Sequence, residues 1–171
     1  MLGLRDKICN FADGMKVKLV SVGNVRTTAV AELCAMYLKR AEYYFPLTVV
    51  NVPDIKVPAG ATHDKIKDAE GARILAQTSP GDFVVLLDER GRELTSRAFA
   101  EFMERKSIEL SRTLVFVIGG PFGFSRGVYD RADALMSLSR LTLPHELARL
   151  FFAEQLYRAG TIIKGEQYHH D

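Results

Sequence analysis

Two unbroken apolar runs, residues 83–87 (FVVLL) and 114–118 (LVFVI), constrain this chain more than any other feature of it. A strand with one face in water alternates apolar with polar side chains, so a strand apolar at every position must be covered on both sides. Two further β-branched runs, 17–22 (VKLVSV) and 47–52 (LTVVNV), come earlier. Helical composition fills residues 28–44 and 65–77, and a third helix, capped near Thr95 or Ser96, carries Phe99, Phe102 and Met103. Beyond the fourth strand, Ser125 reads as the cap of a helix through Met136, and 138–143 (LSRLTL) as a fifth extended segment. Pro144 then starts a final helix whose buried face is expected to be Leu147, Leu150, Phe151 and Leu156. This order predicts an α/β fold: a mainly parallel sheet with helices on both faces.

At 171 residues and 47% hydrophobic, the chain buries a core without staples, and one domain over 15–171 is expected. Residues 1–14 read as an extension outside that core. No apolar run approaches the roughly 18 residues of a membrane span, and the first residues lack a signal peptide's apolar region, so a cytoplasmic protein with no membrane partner is expected. Cys9 and Cys34 fit a reducing compartment and receive no catalytic role. A net charge of +2 does not by itself announce a nucleic-acid binder.

Ligands of parallel sheets sit beyond the carboxyl ends of the strands. Three segments fall there: Asp88 to Gly91, the turn Gly119 to Gly123, and Leu138 to Pro144. IGGPFG, at 118–123, is neither GxGxxG nor a lysine-bearing phosphate loop, and none of the three segments contains a GxSxG nucleophile elbow. What remains is backbone with small and apolar side chains, a lining suited to a purine and to an adenosyl sulfonium, which basic side chains would repel.

Three stretches, LLDERG (86–91), VIGGPFGFS (117–125) and the long LSRLTLPHELARLFFAEQLYRAGTIIKGEQYHH (138–170), resemble the ribosomal large subunit methyltransferase H family, small members of the SPOUT class. The likeness begins near Met15 and is most specific in the last stretch. It implies a C-terminal trefoil knot, a homodimer, S-adenosyl-L-methionine as methyl donor, and methylation of N3 of a pseudouridine in 23S rRNA of the assembled ribosome. It places the cofactor contacts on Leu87, Gly120, Ser139, Arg140, Leu141, Thr142, Leu143 and Pro144. In a homodimer, the fifth segment and last helix are expected at the twofold interface, bringing one subunit's tail near the other's cofactor.

N3 of a uracil-type ring carries a proton, so its methylation needs a base or a polarising group. The candidates near the expected pocket are His145, Glu154, Arg158, Tyr168 and His169. Arg158 stays protonated and suits a developing enolate oxygen or a phosphate. Histidine titrates near neutrality, which favours His169 as the base, and Tyr168 is suited to stacking on the target. As plain structure, His145 satisfies a helix start, Glu154 pairs with Arg158 at i,i+4, and the terminal GEQYHHD is a polar tail. No metal is expected, because His63, His145, His169 and His170 lack ligand spacing.

Phe122 stands where most members of that family have an acid, and the tail ends QYHHD rather than PYHK. Three other readings remain: a tRNA-directed SPOUT enzyme, a noncatalytic ribosome-associated protein, and a noncatalytic flavodoxin-like nucleotide-binding module.

Overall fold

The computed structural model describes residues 15–55, 60–109 and 112–169; the expected extension 1–14, with Cys9, and His170 lie outside them. The elements alternate as β1 (Lys16–Val22), α1 (Thr28–Ala41), β2 (Leu47–Val52), α2 (His63–Leu75), β3 (Phe83–Glu93), α3 (Ser96–Glu109), β4 (Thr113–Ile118), α4 (Arg126–Arg131), β5 (Ala134–Ser137) and α5 (His145–Lys164). The strands pair in parallel in the order β2-β1-β4-β3-β5, which makes this the α/β fold expected.

The apolar runs occupy the middle of the sheet for the reason that predicts them. Alternate residues of β1, β3 and β4 face opposite sides: Leu19, Val85 and Phe116 pack with Ala41, Phe99 and Phe152 of α1, α3 and α5. Val20, Leu86 and Val117 pack on the other side with Ile74 of α2 and Val128 of α4. Each central strand thus removes two apolar faces from water, at roughly 25 cal/mol for each Å² of apolar area.

Four expectations are corrected. β3 does not stop at Leu87 but runs to Glu93, because Leu87 and Arg92 both align with Met136 and residues 88–91 loop out between them. Return of the strand needs Gly91, since a Cβ there would lie 2.5 Å from the Met136 backbone. The helix after Ser125 ends at Arg131, and the fifth strand is Ala134–Ser137, leaving 138–143 irregular. Asp133 makes that break: its amide donates to the Val84 carbonyl and its carboxylate accepts from the Val84 amide, both at 2.8 Å, tying the chain to β3. Pro144 caps α5 from outside rather than opening it.

The inward face of α5 is also rotated from the expected one. Leu147 and Phe151 are exposed, while Arg149, Phe152, Ala153, Leu156, Ala159 and Gly160 are buried. Arg149 is tolerated inside because its guanidinium donates to the carbonyls of Val22 (2.7 Å) and Gly23 at the carboxyl end of β1, and to Asn51 Oδ1 at 3.3 Å.

Candidate active site

The carboxyl ends of β3, β4 and β5 and the first turn of α5 enclose a cavity of about 1120 Å³. Leu87, the last residue of β3 before its looped-out part, and Ile118, the end of β4, stand in its wall, Gly119 and Gly120 form the turn beside them, and 141–145 close the side toward α5. Of the residues expected at a cofactor, the cavity gathers Leu87, Gly120, Ser139, Leu141, Thr142, Leu143 and Pro144. Arg140 does not join them: its Nε pairs with Glu93 Oε2 at 3.1 Å and the side chain is exposed.

Short local hydrogen bonds hold this lining in shape. Ser137 Oγ donates to the Ser139 carbonyl, and Ser139 Oγ accepts from the Leu141 amide, each at 3.0 Å. Glu146 Oε1 accepts the amides of Arg26 (2.5 Å) and Thr27 (3.4 Å), so a carboxylate of α5 caps α1. Those hydrogen bonds hold the Glu146 carboxyl below its usual range.

The looped-out part of β3 supplies the opposite wall. Asp88 accepts hydrogen bonds from the Arg90 amide at 2.9 Å, from Arg90 Nε at 3.1 Å and from the Tyr129 hydroxyl. Arg90 also stacks over the Tyr129 ring, 4.7 Å from its centroid. Burial pushes the Asp88 carboxyl up, and the hydrogen bonds from Arg90 and Tyr129 outweigh it, holding the group below its ordinary value. Burial and the neighbouring Asp88 push the Tyr129 hydroxyl up to about 12.

The cations at this cavity are matched. Lys67 pairs with Asp64 at 2.7 Å, Arg90 with Asp88 at 3.1 Å and Arg126 with Asp130 at 3.7 Å. A lining of backbone, hydroxyls and apolar side chains with its cations already paired suits a ligand without a phosphate chain. Phe122 stands at the mouth, 40% exposed, stacked on His63 with ring centroids 4.1 Å apart. His145 lines the cavity with both ring nitrogens buried. Burial, followed by the charge of Arg149, pushes its imidazole down, which keeps it neutral at pH 7.

The remaining catalytic candidates form a second cluster. Arg158 holds Glu154 Oε1 through Nε at 3.0 Å and its terminal nitrogen at 2.5 Å, and its other terminal nitrogen lies 3.2 Å from His169 Nδ1. The Tyr168 hydroxyl donates to Glu154 Oε1 at 3.2 Å. Burial, then the hydroxyl of Tyr37 and the charge of Glu154, push the Tyr168 hydroxyl well above the ordinary tyrosine range. Within one chain this cluster lies apart from the cavity. His145 and Arg158 share one helix, and thirteen residues at 1.5 Å each separate them by about 20 Å.

Sequence reasoning missed the Asp88–Arg90–Tyr129 network, the His63–Phe122 pair and the buried Glu70 behind the glycine turn. The first carried a signal, two opposite charges two residues apart in LDERG. The others join residues far apart in sequence and carried none. Among the described residues, no three His, Cys, Asp or Glu side chains group as a metal site would require, and no helix is long and apolar enough to cross a membrane.

A family model described as "Predicted SPOUT methyltransferase" matches residues 15–169. The chain is 43% identical over 157 residues to a protein of Porphyromonas gingivalis named Ribosomal RNA large subunit methyltransferase H, covering 92% of this chain and 100% of the relative. Proteins of the same name from Christiangramia forsetii and Bacteroides fragilis are each 42% identical, over 91% and 92% of this chain and 99% and 100% of theirs.

Proposed function

Because the chain belongs to the SPOUT methyltransferase family, we propose that it transfers the methyl group of S-adenosyl-L-methionine to N3 of a pseudouridine in 23S rRNA, on assembled ribosomes in the cytoplasm, as a homodimer. The observation that carries the RNA assignment is identity above 40% along the whole length of relatives named for that activity. A trefoil knot through the β4 to α5 region follows from the same family membership, and the chain trace of a crystal structure tests it.

The cavity fits the donor by its size, its backbone and apolar lining and its matched cations. Leu87, Gly120 and residues 139 and 141–144 would hold adenine, ribose and methionine. When bound, the sulfonium supplies an electrophilic methyl group and leaves as a neutral thioether. The protein must then deliver an N3 atom stripped of its proton.

Arg158, Tyr168 and His169 suit that second task but lie about 20 Å along α5 from their own pocket. A second copy solves the distance. Leu147 and Phe151, one turn apart on α5, and Leu141 in the pocket loop are exposed apolar side chains suited to a twofold contact. Across it, the tail cluster of one protomer reaches the cavity of its partner. There Tyr168 stacks on the target base, and Arg158 shifts a donor from His169 to a ring carbonyl, stabilising the charge that develops on it. That shift frees His169 Nδ1 to take the N3 proton.

The deciding experiment is transfer of labelled methyl from S-adenosylmethionine to ribosomes lacking the modification, with separated subunits and bulk tRNA in parallel. Label at a large-subunit pseudouridine is the expected result. Label in tRNA, or cofactor binding without transfer to any RNA, overturns the substrate assignment.

A further inference from the structure

We infer that Glu70 makes the pocket selective for the charge of its cofactor: a buried carboxylate directly behind the glycine turn favours the methyl-bearing sulfonium over the neutral thioether left after transfer. The inference rests on the S-adenosylmethionine reading above.

Glu70 lies on α2 and is only 5% exposed. Its Oε2 has no hydrogen-bond partner among the described residues. A carboxyl oxygen in that state is uncommon, because burial of an unpaired acid is costly unless something else compensates it. Its position indicates what compensates it. A Cβ built on Gly120 would lie 2.5 Å from Glu70 Oε2, so the carboxyl occupies the space a side chain at 120 would take. The next residue, Gly71, lets Ser125 approach α2 just as closely, so the helix rides directly on the turn. The other side of Gly119 and Gly120 is the cavity wall. One thickness of backbone therefore separates a carboxyl with one unpartnered oxygen from the cavity.

The charges that face Glu70 leave this acid to the ligand. Burial, then the charge of Asp54 beyond β2, push its carboxyl up, and Arg73 on its own helix pulls the other way. Residues 119–124 of the turn contain no titratable side chain. Arg126 and Asp130 of α4 answer each other at 3.7 Å, and His145 of α5 is neutral at pH 7. The cations that line the cavity, Lys67, Arg90 and Arg126, each answer a carboxylate of their own.

S-adenosylmethionine carries one more positive charge than S-adenosylhomocysteine. A cation across the turn favours the ionised form of the Glu70 carboxyl, opposing the burial that pushes it up. Affinity for S-adenosylmethionine should therefore rise as pH climbs through the titration of Glu70, while affinity for S-adenosylhomocysteine should not. At the effective dielectric of a protein site, one unit charge acting across a single thickness of backbone gives a preference of about tenfold or more. The same effect hastens departure of the spent cofactor.

The test is calorimetric titration of the full chain with each compound from pH 5.5 to 8, in two buffers of different ionisation heat. Wild-type protein should prefer S-adenosylmethionine to S-adenosylhomocysteine, and wherever that ratio changes with pH it should grow as pH rises. Glu70→Gln should bring the two affinities within about threefold across that pH range. Equal weakening of both ligands in Glu70→Gln, with the ratio and its pH dependence intact, overturns the inference and leaves Glu70 a structural residue. If that variant fails to fold, equal affinity of wild type for the two compounds overturns it without the variant. Failure of wild type to bind either compound overturns the cofactor reading itself, a separate and recognisable result.

Discussion

Arg158 lies over the ring of Tyr168, its guanidinium carbon 4.8 Å from the centroid, while the same guanidinium holds Glu154 and touches His169. A planar fork makes three kinds of contact here at once, and a lysine ammonium cannot reproduce them. Arg158→Lys should lower kcat for methyl transfer by about 100-fold or more, the usual cost of removing one charge-stabilising donor. Affinity for S-adenosylmethionine should stay within about twofold, since Arg158 acts on the target base and not on the cofactor. Single-turnover rates alongside calorimetry check both halves.

Two defective chains should repair each other. Gly120→Ala drives a methyl group into Glu70 and disables the pocket, and Arg158→Ala disables the tail. If the site forms between protomers, refolding the two together recovers activity in mixed dimers, at about a quarter of wild type from statistical pairing. Recovery no greater than the two variants measured apart would show that each chain works alone.

Substitution of Gly160 tests the packing of α5 on the segment after α1. Its Cα presses on the ring of Tyr44, leaving no space for a Cβ. Gly160→Ala should cost about 1–3 kcal/mol and lower Tm by several degrees, despite the better helix propensity of alanine. Thermal unfolding followed by circular dichroism measures it.

Asp88 gives stability a definite pH dependence. Its carboxyl sits below the ordinary value in the folded chain because Arg90 and Tyr129 donate to it. A depressed acid stabilises the fold above its unfolded pKa, near 3.9, and loses that contribution as pH falls through the folded value. Asp88→Asn should be destabilised relative to wild type at pH 7, with the difference shrinking below about pH 4. Urea midpoints across that range report it.

How much of this was legible in the sequence depended on how local the cause was. β2 begins and ends where expected because Pro46 and Pro53 bracket a β-branched run. β5 was misplaced because ALMS has helix-forming composition, and only the contact of Asp133 with Val84 across the sheet makes it a strand. Likewise Ser139 and residues 141–144 fall in the cavity because loops that follow parallel strands gather at one end. Arg140 leaves it for Glu93, a partner 47 positions away that no spacing rule indicates. Helix α5 is apolar on two sides. Its pattern alone did not say that Leu147 and Phe151 face outward while Arg149 turns in to β1.

The placement of β4 also governs how the chain reaches this state. β1 pairs with β2 almost as soon as both exist, but its inner neighbour, aligned from Lys16 to Thr113, arrives about a hundred residues later. Until then Leu19 and Val20 sit on an open, hydrogen-bond-hungry margin, the kind of edge that recruits other chains. Because the strand that fills the middle of the sheet comes so late in sequence, contact order is high. Refolding should be slow for a domain of this size, and aggregation during synthesis is the hazard that accompanies the architecture.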